Sequence, residues 1–75
     1  MVEAYILITA EIGKVKKVAE ELQKLENIKS VHVVTGPYDL IVFTEAKDLP
    51  TLTNVVIEGI HQIDGVEDTN TAIVV

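Results

Sequence analysis

The middle of the chain, residues 30–45, restricts the possible folds more than any other stretch. Two runs rich in Val, Ile, Thr and Phe lie on either side of Gly36-Pro37-Tyr38-Asp39. β-Branched and aromatic residues suit a pleated, half-buried surface, and Gly and Pro supply the backbone conformations that a turn requires. The sequence therefore predicts a β-hairpin here, with strands two and three as its arms.

A strand and a helix are expected before the hairpin. Residues 2–9 alternate between two faces, as a β-strand does. From Lys14 the apolar residues recur at helical spacing, lysines and glutamates occupy the other side, and Glu26-Asn27 ends the pattern. The apolar side of this predicted helix consists of Val15, Val18, Ala19, Leu22 and Leu25.

A second helix and a last strand are expected after the hairpin. Asp48 is a suitable N-cap, and Pro50 falls in the first turn, where its missing N–H costs little. Gly59 shares the apolar face and is expected to allow close packing on the sheet. Asp64-Gly65 marks the end of the helix, and residues 66–75 form the last strand. The apolar face consists of Leu49, Leu52, Val56, Ile60 and Ile63.

The resulting order, βαββαβ, indicates one α+β domain over residues 1–75. Right-handed crossovers arrange it as a ferredoxin-like sandwich, a four-stranded antiparallel sheet with two helices on one face. The other face of the sheet is also apolar, because it carries Tyr5, Leu7, Ile41 and Phe43, together with either Ile73 and Val75 or Ala72 and Val74. A small domain gains by burying such a face, so we expect a second subunit to cover it and form a homodimer.

Composition excludes several functional classes. The formal charge of −6 comes from twelve acidic residues against six lysines, and the chain has no arginine, so direct nucleic-acid binding is not expected. No apolar run approaches the roughly 20 residues that span a bilayer, and no basic segment opens the chain. The chain has no cysteine. These features are typical of a cytoplasmic protein without a membrane partner.

No catalytic or metal site is visible in the sequence. His32 on a strand and His61 near a helix end lack the further ligands that a metal ion needs. A nucleophile elbow, a phosphate-cradling glycine loop and an HExxH motif are all missing. We therefore predict a protein that is not an enzyme and uses no cofactor.

The tip of the hairpin is the candidate ligand site. Gly36 permits close approach of a ligand, Tyr38 offers an apolar ring with a polar end, and the Asp39 carboxylate can accept hydrogen bonds from an ammonium group. Thr69 and Thr71 lie two apart on one face of the last strand, where their hydroxyls could also bind a ligand. The same residues have a structural interpretation as turn residues and β-formers, and the spacing alone does not choose between the two.

Three motifs spread over nearly the whole chain are Gly13-Lys14-x-x-x-Val18, Val31-x-Val33-x-x-Gly36-x-Tyr38-Asp39-x-x-Val42 and Gly65-Val66-x-x-Thr69-x-Thr71. Together they resemble the RAM domain, the effector-binding module of Lrp/AsnC transcriptional regulators. Ile12 is a departure, because many members have proline before the glycine-lysine pair.

The resemblance implies a ligand-binding and oligomerisation module without enzymatic activity. Dimers would assemble into a ring, commonly of four dimers and thus an octamer, with amino acids or similar small metabolites in the clefts between dimers. Gly36 would line the ligand, Tyr38 would pack near it, Asp39 would stand near its amino group, and Thr69 and Thr71 would complete the site. The module would modulate a full-length Lrp/AsnC-type regulator or act as an amino-acid sensor.

Two other interpretations stay open at this point. Small ferredoxin-like dimers can house cofactorless oxygenase-type chemistry, for which His32 or Asp39 would be the base. The chain could also be a plain assembly or scaffold protein, indifferent to ligands.

Overall fold

The computed structural model describes residues 1–75, and its first and last regular elements are strands. In chain order the elements are β1 (Val2–Ala10), α1 (Val15–Leu22), β2 (Ile28–Val33), β3 (Leu40–Ala46), α2 (Leu49–Thr51), π1 (Leu52–Ile57), α3 (Glu58–His61) and β4 (Val66–Ile73). The segments α2, π1 and α3 follow one another without a break, and we call them together the second helical segment.

The four strands form one antiparallel sheet in the order β2-β3-β1-β4. The first and third strands occupy its centre, and the two crossovers through helices connect each of them to an edge strand. This arrangement confirms the predicted ferredoxin-like α+β sandwich.

The core lies between the sheet and the helices. Every second residue of β1 and β3 is buried on this side, in agreement with the period of two expected for strands. Helix α1 contributes Val18 and Leu22, as its spacing predicts. The buried apolar side chains are Ala4, Ile6, Ile8, Ala10, Val18, Leu22, Leu40, Val42, Ala46, Leu52, Val56 and Ile60.

The second helical segment begins as predicted. The Asp48 carboxylate caps it by accepting a hydrogen bond from the Thr51 backbone N–H at 2.8 Å, and Pro50 lies in the first turn. Hydrogen bonding from Thr51 stabilises the ionised form, and this lowers the pKa of Asp48 below its usual value.

The middle of this segment differs from the single α-helix that the sequence predicts. Residues Leu52–Ile57 form a π-helix, whose turns are wider than those of an α-helix. Of the predicted apolar face, Leu52, Val56 and Ile60 are buried and Ile63 is partly buried against the core, whereas Leu49 is half exposed. The prediction that Gly59 allows close packing on the sheet is also wrong, because a methyl group there would meet no atom within 4 Å.

Gly65, just before β4, is the glycine that packing does require. Its φ is +106°, and a methyl group there would lie 3.0 Å from Lys14 Cβ and 3.0 Å from Val18 Cγ2. Its carbonyl oxygen accepts a hydrogen bond from the Glu11 backbone N–H at 2.8 Å. The connection between the second helical segment and β4 is thereby fixed against the start of α1.

The sheet face opposite the helices is uncovered and largely apolar. Tyr5 pairs with Phe43 and Leu7 with Ile41 across β1 and β3. The two aromatic rings are in contact, with their centroids 5.0 Å apart. We call the four residues Tyr5, Leu7, Ile41 and Phe43 the open-face cluster.

Strand β4 contributes alternate residues to this open face. Ala72 pairs with Tyr5 and Asn70 with Leu7, so both lie on the open face, and Ile73 pairs with Ala4 on the helix-facing side. Of the two sets left open by the sequence, the one containing Ala72 therefore joins the open-face cluster. No helix of the chain combines the length and apolarity needed to span a bilayer.

Candidate functional site

The loop between β2 and β3, residues 34–39, folds over the end of β1. It is closed by a hydrogen bond from the Val34 N–H to the Asp39 carbonyl at 2.9 Å, and the Asp39 N–H donates to the Ile8 carbonyl at 2.9 Å. Main-chain hydrogen bonds therefore hold the predicted tip of the hairpin at the C-terminal end of β1.

The Asp39 carboxylate adds a third anchor. Its Oδ2 atom accepts a hydrogen bond from the Ala10 backbone N–H at 2.8 Å, in a half-buried position. A charge-assisted bond of this kind is stronger than one between neutral groups. Part of the role of Asp39 is thus structural, and Oδ1, which has no partner within the chain, is the oxygen available to a ligand.

Gly36 stands at the exposed end of the loop. Its φ of +143° lies in the region that other residues rarely adopt, and a methyl group there would meet no atom within 4 Å. The main chain at this point is therefore open to an approaching molecule, and the glycine is required by backbone conformation and not by crowding.

Tyr38 connects the hairpin to the last strand. The Asn70 side-chain amide, through Nδ2, donates a hydrogen bond to the Tyr38 hydroxyl at 3.4 Å. Asn70 was not identified from the sequence as part of the site. The alternation of the last strand places Asn70 on the face opposite Thr69 and Thr71, but its contact with a residue 32 positions away has no local signal.

The two threonines share one face, as their spacing predicts, but it is not the face of Asn70. Thr69 pairs with Ile8 and Thr71 with Ile6, both of which point toward the helices. The Thr69 hydroxyl and His61 Nε2 are 2.7 Å apart, which joins the end of α3 to β4. The structure therefore brings Gly36, Tyr38 and Asp39 together and keeps both threonines apart from them, on the other side of the sheet.

The residues considered as alternative bases are His32 and Asp39. His32 lies on the edge strand β2 opposite Ile41, and no hydrogen bond joins it to Asp39. No set of three or more His, Cys, Asp or Glu side chains is arranged to hold a metal ion.

The hairpin site is an exposed corner of the subunit. The chain has two surface grooves, of about 270 Å³ and about 230 Å³, and neither is lined by a predicted site residue. A ligand at the hairpin would therefore contact this subunit on one side only.

Comparison with known proteins matches this fold and these motifs to one family. The model of the Lrp/AsnC ligand-binding domain matches residues 3–75. An uncharacterized HTH-type transcriptional regulator of Pyrococcus horikoshii is 39% identical over 70 residues, which are 93% of this chain and 44% of the regulator. The chain thus spans less than half the length of that relative.

Two further similarities extend the comparison. The crystal structure of a Thermus thermophilus protein is 36% identical, with a TM-score of 0.93, and the match covers 100% of this chain and 94% of that one. A homocitrate synthase of Sulfurisphaera tokodaii is 35% identical over 74 residues, which are 97% of this chain and only 16% of the synthase. Because the family model matches almost every residue, the chain belongs to the family of Lrp/AsnC ligand-binding domains.

Proposed function

We propose that the chain is an effector-binding and oligomerisation module that binds amino acids or similar small metabolites and has no catalytic activity of its own. The observation that carries the proposal is the hairpin tip, where Gly36, Tyr38 and Asp39 are anchored as an open corner beside an uncovered apolar sheet face. A corner of this kind becomes a pocket when a second copy of the chain packs against it. Membership of a family of ligand-binding domains supports the same interpretation.

The chemistry of the corner suits the amino-acid backbone of a ligand. Asp39 Oδ1 is available to accept hydrogen bonds from an ammonium group, since Oδ2 is already occupied by the Ala10 N–H. The exposed main chain at Gly36 offers polar groups to a carboxylate, and the Tyr38 ring offers an apolar wall. A few placed polar groups against an apolar wall are typical of small-molecule sites.

Thr69 and Thr71 enter the proposal through a neighbouring subunit. They lie on the opposite side of β4 from Asn70, the residue that contacts Tyr38, so one ligand does not readily touch both sets within a single chain. We propose that the threonines of one subunit and the hairpin of another contact the same ligand, in a cleft between dimers.

The dimer itself is proposed to form through the open-face cluster. Tyr5 is 46% exposed, and its ring packs on Phe43 at a centroid distance of 5.0 Å. Burying apolar area contributes about 25 cal/mol per Å², and a contiguous apolar face of this kind typically marks an interface. Dimers formed in this way would then assemble into a ring, with an octamer as the expected size.

The proposed partner is a full-length Lrp/AsnC-type regulator in the cytoplasm, whose oligomeric state and DNA affinity would respond to the ligand. The similarity to part of a homocitrate synthase supports a wider version, in which a module of this type is joined to an enzyme. In both cases the module contributes binding and assembly, and the DNA-binding or catalytic domain lies elsewhere.

The test is the thermal unfolding midpoint of the dialysed protein with each of the twenty amino acids at millimolar concentration. A ligand that binds the folded assembly raises stability by about 2.7 kcal/mol at a hundredfold excess over its dissociation constant. Asp39→Asn should abolish a selective rise, because it keeps an acceptor for the Ala10 N–H and removes the charge that binds ammonium. Asp68→Asn, an exposed acid on β4, is the matched control and should leave the rise intact. A flat response to all twenty would contradict the proposal.

A further inference from the structure

A histidine and a threonine contact each other where the second helical segment ends beside the last strand. The Nε2 atom of His61 lies 2.7 Å from Oγ1 of Thr69. His61 is the last residue of α3, and Thr69 is held in the sheet by its pairing with Ile8. The His61 side chain is exposed and Thr69 is half-buried, so a molecule that approaches this edge of the sheet meets the two residues together.

The direction of this hydrogen bond determines what the Thr69 hydroxyl offers to a ligand. A hydroxyl has one proton to donate, and a neutral imidazole has one protonated nitrogen and one acceptor nitrogen. When His61 Nε2 carries the proton, it donates to Oγ1 and leaves the threonine proton for another acceptor. When Nε2 is unprotonated, it takes the threonine proton, and Oγ1 then only accepts. His61 therefore controls whether Thr69 acts as a donor or as an acceptor.

The charges near this contact are unfavourable for a carboxylate. Residues 58–71, which include α3 and most of β4, contain four acidic residues and no lysine, and His61 is their only basic side chain. Of the four acids, Asp64 is paired with Lys14 at 3.1 Å and with Lys17 at 3.7 Å. A carboxylate at this edge is repelled by the unpaired acids, so it requires a donor held in place beside it. Thr69 is such a donor when His61 Nε2 is protonated.

We infer that His61 is a positioning residue of the ligand site: its Nε2–H donates to Thr69 Oγ1, and the Thr69 hydroxyl donates in turn to a carboxylate of the bound molecule. The inference rests on the proposed function, in which the threonines of one subunit and the hairpin of another contact the same ligand. Asp39 accepts hydrogen bonds from the ammonium group there, and the carboxylate is left for Thr69. His61 does not contact the ligand and acts only through Thr69.

The first test needs no ligand. The chain has two histidines, and His32, which is exposed on β2, is the internal reference. NMR of the isotope-labelled imidazole nitrogens in mildly alkaline solution distinguishes a protonated Nε2 from a protonated Nδ1. We expect a higher share of protonated Nε2 at His61 than at His32, and Thr69→Val should remove the difference. A His61 ring protonated mainly at Nδ1, or equal shares at the two histidines, would overturn the inference.

The second test measures affinity by titration calorimetry. The probes are the twenty amino acids of the thermal screen and, for each one that binds, its primary amide. We expect His61→Leu to weaken binding of the amino acid about fivefold, the effect of one hydrogen bond, and to reduce its preference over the amide. His61→Gln should restore most of the affinity, because its amide N–H replaces the Nε2–H. His32→Leu is the matched control and should bind as the unchanged protein does.

A double variant shows whether His61 acts through Thr69. Thr69→Val combined with His61→Leu should bind no more weakly than Thr69→Val alone. An additional loss would mean that His61 contacts the ligand directly, which contradicts the inference. Unchanged affinity in His61→Leu, or no recovery in His61→Gln, would also overturn it.

The binding results separate this inference from the proposed function. If the unchanged protein responds to no amino acid, the proposed function is contradicted and the inference is rejected with it. A response that Asp39→Asn abolishes and His61→Leu leaves intact would contradict the inference alone. The unfolding midpoint of each variant without ligand verifies its fold.

Discussion

Replacing Gly65 by alanine tests how the helical layer is fixed on the sheet. Two costs combine at this position. An L-residue at φ +106° is strained by about 1–3 kcal/mol. The new methyl group would also lie 3.0 Å from Val18 Cγ2, a fully buried side chain that would have to shift within the core. Overpacking of this kind typically costs about 1–3 kcal/mol. We therefore expect Gly65→Ala to lower the free energy of unfolding by about 2–6 kcal/mol.

Gly13→Ala is the matched control for the backbone part of that cost. The φ of Gly13 is +85°, but a methyl group there would meet no atom within 4 Å, so only backbone strain should destabilise this variant. Denaturant unfolding at one fixed protein concentration measures both variants, since the proposed assembly would make stability concentration-dependent. We expect Gly65→Ala to be the less stable variant by about 1–3 kcal/mol. Equal losses in the two variants would refute the close contact with Val18.

Three further predictions follow from single contacts. Thr44→Val removes the hydroxyl that donates to the Asn27 carbonyl at 2.6 Å in a fully buried position, and should cost about 1 kcal/mol in the free energy of unfolding, measured with denaturant. The pKa of Asp48 is lowered in the folded state, so the Asp48 cap stabilises the fold above the unfolded-state pKa of 3.8, and this stability is lost as the pH falls through the folded-state pKa. In thermal melts from about pH 2 to 7, Asp48→Asn should therefore reduce the loss of stability at acid pH. An equal loss at acid pH in the variant and the unchanged protein would contradict the cap. Phe43→Glu places a charge in the open-face cluster and should give monomers in sedimentation velocity, whereas Ile12→Glu, at a fully exposed loop position, should not.

Most of the fold was predictable because its signals are local. The alternation of β1 and β3 and the helical spacing of α1 follow from which side chains must be buried, and Asp48 with Pro50 marks a helix start whatever lies around it. The π-helix was not predictable, since a widened turn depends on how Leu52, Val56 and Ile60 fit the sheet beneath them.

The candidate site was predictable only in part, for a related reason. Turn chemistry identified Gly36, Tyr38 and Asp39, but nothing local indicates that one Asp39 oxygen is used by the Ala10 N–H. The Tyr38 contact with Asn70 and the Thr69 contact with His61 depend on strand order and register, which bring distant segments together. The sequence pattern thus identified residues, and the three-dimensional arrangement assigned their partners.

Sedimentation equilibrium of the dialysed protein, with and without the amino acid that gives the largest thermal shift, tests the central claim most directly. If the ligand lies between copies of the chain, it must bind the assembled state more tightly than the separated one, and binding and assembly are then linked. We predict that the ligand raises the average mass and that Asp39→Asn abolishes the increase. A ligand that binds without changing the distribution of masses would contradict the claim that neighbouring copies share it.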